Sequence, residues 1–200
     1  MKKILTPLII SLSLSGCSVF MPVTVPEVHK YQINGVANDN LTACTKTSAG
    51  ILQVSQMKAD APFDTTRMFY SNAEYELSSY AYHQWISTPN VMLTQAIQEK
   101  LLQSCIYANV VNEDFMTSSQ HRLNTQLLEL KQVMPKGSDK QTTIHLLILA
   151  QLVDNQTNQV IKSKTFVEAA SADSSPTAYV AASNQVTQMF LSDLVTWLQE

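Results

Sequence analysis

Glycine is scarce in this chain, with four in 200 residues. That leaves little material for an anion-cradling loop, and neither a Gly-x-Ser-x-Gly elbow nor a phosphate-binding glycine run occurs. Charge is sparse as well, at 14% of residues, and only Arg67 and Arg122 carry a guanidinium. With a formal net charge of −3 the chain has no electrostatic footprint for nucleic acid. Four histidines, His29, His83, His121 and His145, are scattered singly. None has a cysteine, histidine or carboxylate at metal-ligand spacing, and His-Glu-x-x-His is missing, so no metal and no cofactor is implied. Glu74 and Glu76 read as a solvated strand edge, Glu113 and Asp114 as loop solubilisers, and Arg67 as half of a structural ion pair. No general acid–base pair with split environments is visible, so an enzyme is not expected.

The amino terminus is where the information lies. Lys2 and Lys3 precede a short apolar run over residues 4–14, followed by Ser15, Gly16 and Cys17. This is the pattern of a secretory signal, too short and wrongly flanked for a spanning helix. Leu14-Ser15-Gly16-Cys17 resembles the lipobox of bacterial lipoproteins. The resemblance implies cleavage after residue 16 and acylation of Cys17, with Ser18 at the following position favouring delivery to the outer membrane. Each buried methylene contributes about 0.8 kcal/mol, so several acyl chains anchor a protein stably. Residues 17–30 contain Pro22 and Pro26 and read as an extended tether. At about 3.1 Å per residue such a tether reaches roughly 40 Å from the bilayer.

Residues 31–200 are expected to form one periplasmic domain with a sizeable core. Strands are expected near 30–33, 51–57, 106–111, 125–134, 142–153 and 159–169, with a hairpin made of 67–70 and 74–79. Thr88-Pro89 and Ser175-Pro176 are cap-plus-proline signals that open two helices, the first over about 89–104. Leu93, Ile97 and Leu101 form one helical stripe; Tyr179, Ser183, Val186, Phe190, Leu194 and Trp197 form the other. The fold class is therefore α+β: a largely antiparallel sheet with two helices packed on one face.

Once Cys17 is lipidated, Cys44 and Cys105 remain. In an oxidising compartment an even count favours a disulfide, and two buried thiols are the alternative. Closing a loop of about 60 residues contributes roughly 4 kcal/mol in the chain-entropy account.

The block Met68-Phe69-Tyr70, Tyr75-Glu76-Leu77, Tyr80, Trp85 and Pro89, continuing to Leu101-Leu102 and Val110-Val111, resembles the ABC-type transport auxiliary lipoproteins. One such lipoprotein is encoded beside the paraquat-inducible MCE-type lipid transport proteins. Members often carry a basic residue before the tryptophan and an acidic-proline run after it, where this chain has Gln84 and Ile86-Ser87-Thr88. The resemblance implies a non-enzymatic subunit, anchored by its acyl chains to the periplasmic face of the outer membrane. Its partners would be an MCE-domain protein and an inner-membrane ABC transporter complex, and homo-oligomers are known for such lipoproteins. A docking adaptor is the function this implies. A lipid carrier with its own apolar cavity and an envelope hydrolase are the competing readings. Phe69, Tyr70, Tyr75, Tyr80 and Trp85 are the candidate partner interface, because Tyr and Trp are favoured there. The competing reading places them in the core of the hairpin.

Overall fold

The computed structural model describes residues 26–34, 50–113, 118–135 and 141–200. Cys17, Cys44 and the expected signal and tether up to residue 25 lie outside the described residues. In chain order the elements are β1 (His29–Tyr31), β2 (Ile51–Val54), β3 (Lys58–Ala59), β4 (Arg67–Ser71), β5 (Ser78–Trp85), α1 (Pro89–Ser104), β6 (Asn109–Asn112), β7 (His121–Val133), β8 (Gln141–Asp154), β9 (Val160–Asp173) and α2 (Pro176–Gln199).

The sheet is built around β7. One edge pairs antiparallel with β8 along its whole length, and β8 pairs antiparallel with β9. The other edge is shared by three short strands in succession, all parallel to β7. Here β2 lies against residues 121–123, β3 against 126–127 and β4 against 132–133. On the far side β2 carries β6 in parallel, while β4 carries β5 antiparallel and β5 carries β1 in parallel. The class is α+β with both helices on one face, but the sheet is mixed, not largely antiparallel. Residue alternation reports which face a strand buries and is blind to the direction of its neighbour.

Alternation explains β8 well: Ile144, Leu146, Ile148, Ala150 and Leu152 are buried beneath the helices. In β7 the expected alternation breaks. Leu127 pairs with Ile148 and Glu129 with Leu147, leaving Leu128 as a bulged residue. Burial accordingly switches from Leu123, Thr125 and Leu127 to Leu130 and Gln132. The bulge also explains why Gln132 is fully buried. Its Nε2 donates to Thr142 Oγ1 (2.6 Å) and Asp173 O (3.0 Å), and its Oε1 accepts from Tyr80 Oη (2.6 Å). A buried amide so satisfied ties β5, β7, β8 and the end of β9 together.

Both helices begin where the proline signals put them. Ser175 Oγ accepts from Ala178 N, whereas Thr88 makes no side-chain cap. Leu93, Ile97 and Leu101 are buried, as is the α2 stripe from Tyr179 to Trp197. At the far end of α2, Lys162 Nζ donates to Trp197 O (2.5 Å) and lies 4.9 Å from the indole centroid. A cation at a helix C-terminus opposes the macrodipole favourably.

The entry segment is fastened at several points. Ile86 N donates to Tyr31 O (2.7 Å), Ile33 N approaches Met92 Sδ (3.4 Å), and Asn34 N donates to Asn184 Oδ1 (2.6 Å). These contacts hand the chain from the sheet edge to α1 and then α2.

In β9 the helix-facing side carries Phe166 and Ala170 but also Glu168, while Val167 on the opposite face is exposed. Burial raises the Glu168 carboxyl above its ordinary 4.5; Asp193 on α2 adds to the rise and Lys164 opposes it. The fold thus favours the protonated form, so this stability is present below the unfolded value and is lost as pH rises through the folded one. Glu168→Gln is therefore expected to raise the melting temperature at neutral pH, with a gain that shrinks toward about pH 4.5 and below. Thermal melts across pH check this. Trp85, 1% exposed, is the largest truncation available in the core. Trp85→Ala is expected to cost about 3–5 kcal/mol in urea unfolding.

Candidate functional site

The hairpin of β4 and β5 collects most of the aromatic side chains that the sequence singles out. Its second strand does not occupy 74–79 as expected. The stretch 72–77 is the connecting loop, and β5 begins at Ser78. Glu74, Tyr75 and Glu76 are all exposed. A run of alternating polar and apolar residues without a buried side is a loop, whatever its composition.

The five candidate interface residues divide sharply. Trp85 is a core residue, packed edge-on to Tyr179 at 5.8 Å. Phe69 is partly buried against the core, edge-on to Phe63 at 5.8 Å. Tyr70 and Tyr80 stack at a tilt with centroids 5.0 Å apart, and Tyr80 also faces Tyr179 and His83. Burial raises the Tyr80 phenol above its ordinary range, with Tyr70 adding to the rise; burial raises Tyr179 further still. These rings form a ladder from the sheet edge into the core.

Tyr75 is different. It is 98% exposed and holds a left-handed backbone, φ 66°. A non-glycine residue there costs about 1–2 kcal/mol. Leu77, Tyr82 and Ile86 are also exposed. Beside the loop a cavity of about 440 Å³ runs between Phe63, residues 71–77 and Lys131, Val133 and Met134. An exposed aromatic on a strained loop, next to a partly apolar hollow, is suited to contact with another surface.

Next to this hairpin the His29 and His83 rings stack 5.2 Å apart, and Tyr31 Oη lies 3.0 Å from His83 Nδ1. Burial lowers the His83 pKa and His29 adds to the effect. Among the described residues no three His, Cys, Asp or Glu side chains converge on a metal-sized space, and no helix is long and apolar enough to cross a membrane. Cys105 ends α1 in a left-handed conformation, φ 54°; Cys17 and Cys44 lie outside the described residues.

A cavity of about 850 Å³ was not foreseen from the sequence. It opens where the chain passes from β2 to β3, and residues with polar side chains dominate its lining, Asn90 of α1 among them.

Compared with known families, residues 31–195 match the ABC-type transport auxiliary lipoprotein component. The chain belongs to that family. The family match covers the hairpin, α1, all the strands from β2 to β9, and α2 as far as residue 195. Among solved structures, a DUF330-family protein from Xanthomonas campestris shares the fold with TM-score 0.69 at 18% identity, over 86% of this chain and 92% of that one. A crystal structure of an uncharacterized protein matches with TM-score 0.65 at 14% identity, over 86% and 99%. No curated protein sequence matches. At such identities the two structures speak for the fold of this auxiliary lipoprotein alone.

Because Tyr75 is solvent-exposed and strained, Tyr75→Gly is expected to stabilise the lipoprotein by about 1 kcal/mol in urea unfolding. A loss of stability instead would mean that the ring supports the fold.

Proposed function

We propose that this auxiliary lipoprotein is a docking adaptor anchored through Cys17 to the periplasmic face of the outer membrane. The signal would occupy residues 1–16, the lipidated tether 17–30 and the working domain 31–200. In this reading the domain performs no catalysis and receives the distal end of an MCE-type assembly served by an inner-membrane ABC transporter. Tethering makes the engagement effectively intramolecular, and several copies side by side would multiply it. A Cys44–Cys105 bridge would secure the chain ahead of β2 to the end of α1.

The observation that carries the proposal is Tyr75, almost wholly exposed at a loop tip whose flanking rings are sunk in the fold. A rigid ladder behind an exposed aromatic presents contact area at low entropic cost. The partner surface is therefore proposed at Tyr75 with Leu77 beside it in the same loop; Tyr70 and Phe69 lie behind, and Trp85 is left to the core. The carrier alternative requires an apolar cavity, whereas the cavity of about 850 Å³ is walled as much by polar as by apolar surface.

A photo-crosslinking residue at position 75 in living cells should capture an MCE-domain protein, while the same residue at position 160, distant on β9, should not. Equal capture from both, or none from 75, overturns the docking face. Labelled palmitate should enter the natural chain and not Cys17→Ser; incorporation that survives the substitution removes the anchor.

A further inference from the structure

Where β2 gives way to β3, the sheet carries a groove with many polar side chains that nothing in the docking proposal uses. β7, β8 and β2 meet there with matched register. Arg122 stands beside Gln53, and Asn124 stands opposite Gln151. Gln126 lies one step further, next to Lys58 on β3. Amide and guanidinium groups from three adjacent strands, β2, β7 and β8, thus share one concavity of about 850 Å³, within the usual range for small-molecule sites.

Some of these groups are already engaged. Gln126 Nε2 donates to Asp60 Oδ1 (2.6 Å), and Gln53 Oε1 accepts from Ser119 Oγ (3.3 Å). The side chains of Arg122, Asn124 and Gln151, all half-buried, have no hydrogen-bond or ion-pair partner among the described residues. Two further lining residues, Asn90 on α1 and Thr125 on the helix-facing side of β7, are over nine-tenths buried, and their Oδ1 and Oγ1 lack a partner too. These two atoms are kept from both water and protein, which is costly unless something pairs with them.

The lining also restricts what that partner is. Lys58 and Arg122 are balanced by Asp64 and Glu113, so the groove has no net charge with which to attract a polyanion. Met57, Ala59 and Leu149 are its apolar side chains, and its walls are about as apolar as they are polar. A ligand that is neutral, rich in groups that both donate and accept, and not wholly polar matches such a lining. Carboxamides offer a donor and an acceptor in one plane, and the guanidinium adds a fork of donors. Adjacent hydroxyls of a sugar ring are the natural complement.

We propose that this groove binds a short neutral oligosaccharide, with Arg122, Asn124 and Gln151 as its principal contacts. The proposal does not depend on the docking face at Tyr75, which lies in a different cavity.

The test uses the ¹⁵N-labelled full chain, titrated separately with chitotriose, maltotriose, isomaltotriose and inorganic phosphate at millimolar concentrations. At least one trisaccharide should shift the side-chain amide signals of Asn124, Gln126 and Gln151. Arg122→Ala and Asn124→Ala should each weaken that binding roughly ten-fold or more. Melting temperatures close to that of the natural chain would show that these surface substitutions leave the fold intact. Three results overturn the proposal: silence with all three sugars, a response to phosphate alone, or binding unchanged in both variants.

Discussion

Every backbone donor and acceptor along β7 must find a partner, and that single constraint organises the molecule. On one side β8 supplies partners continuously over the strand's length. On the other, three short strands divide the edge between them. All three run parallel to β7 and succeed one another along it, so the chain advances in one direction with breaks between pairings. The irregular crossing over residues 55–57 is one result, held by Ser55 N on Leu123 O and Met57 N on Thr94 Oγ1.

That division sets a continuous part of the sheet apart from a broken one. Beneath α1 and α2 the face is continuous and apolar, with Trp85, Tyr179 and Phe190 at its heart. The sheet is interrupted where β2 gives way to β3, and the interruption is where the amide-lined groove opens. The aromatic hairpin is carried on the same edge of β7, since β4 takes its last section. Both concavities proposed as functional thus arise from the edge that short strands had to share.

The helices were legible in the sequence because their signals are local: a proline after a capping residue, then apolar positions at helical spacing. The long strands were legible for the same reason, and so was the inward face of β8. Strand direction was not, because it depends on partners far away in the chain. The bulge at Leu128 was invisible too. Leu127, Leu128 and Leu130 are interchangeable in composition, and only pairing with Ile148 and Leu147 decides which one is extra. Tyr75 and Trp85 show the limit for the site. Both are large aromatics within one family-like block, yet one is buried and the other stands in solvent, because loop and strand were exchanged in that block. The groove left no local signal at all, being assembled from single side chains on separate strands.

The fastening of the entry segment has a mechanical side. Any pull on the chain ahead of His29 reaches the domain first at β1, a strand of three residues, which by itself would peel readily. Immediately behind it, Ile33 is held at Met92 of α1 and Asn34 at Asn184 of α2. Tension is therefore passed to two helices seated on the core and does not end at the sheet margin. A domain suspended by its amino terminus would hang from its most rigid layer.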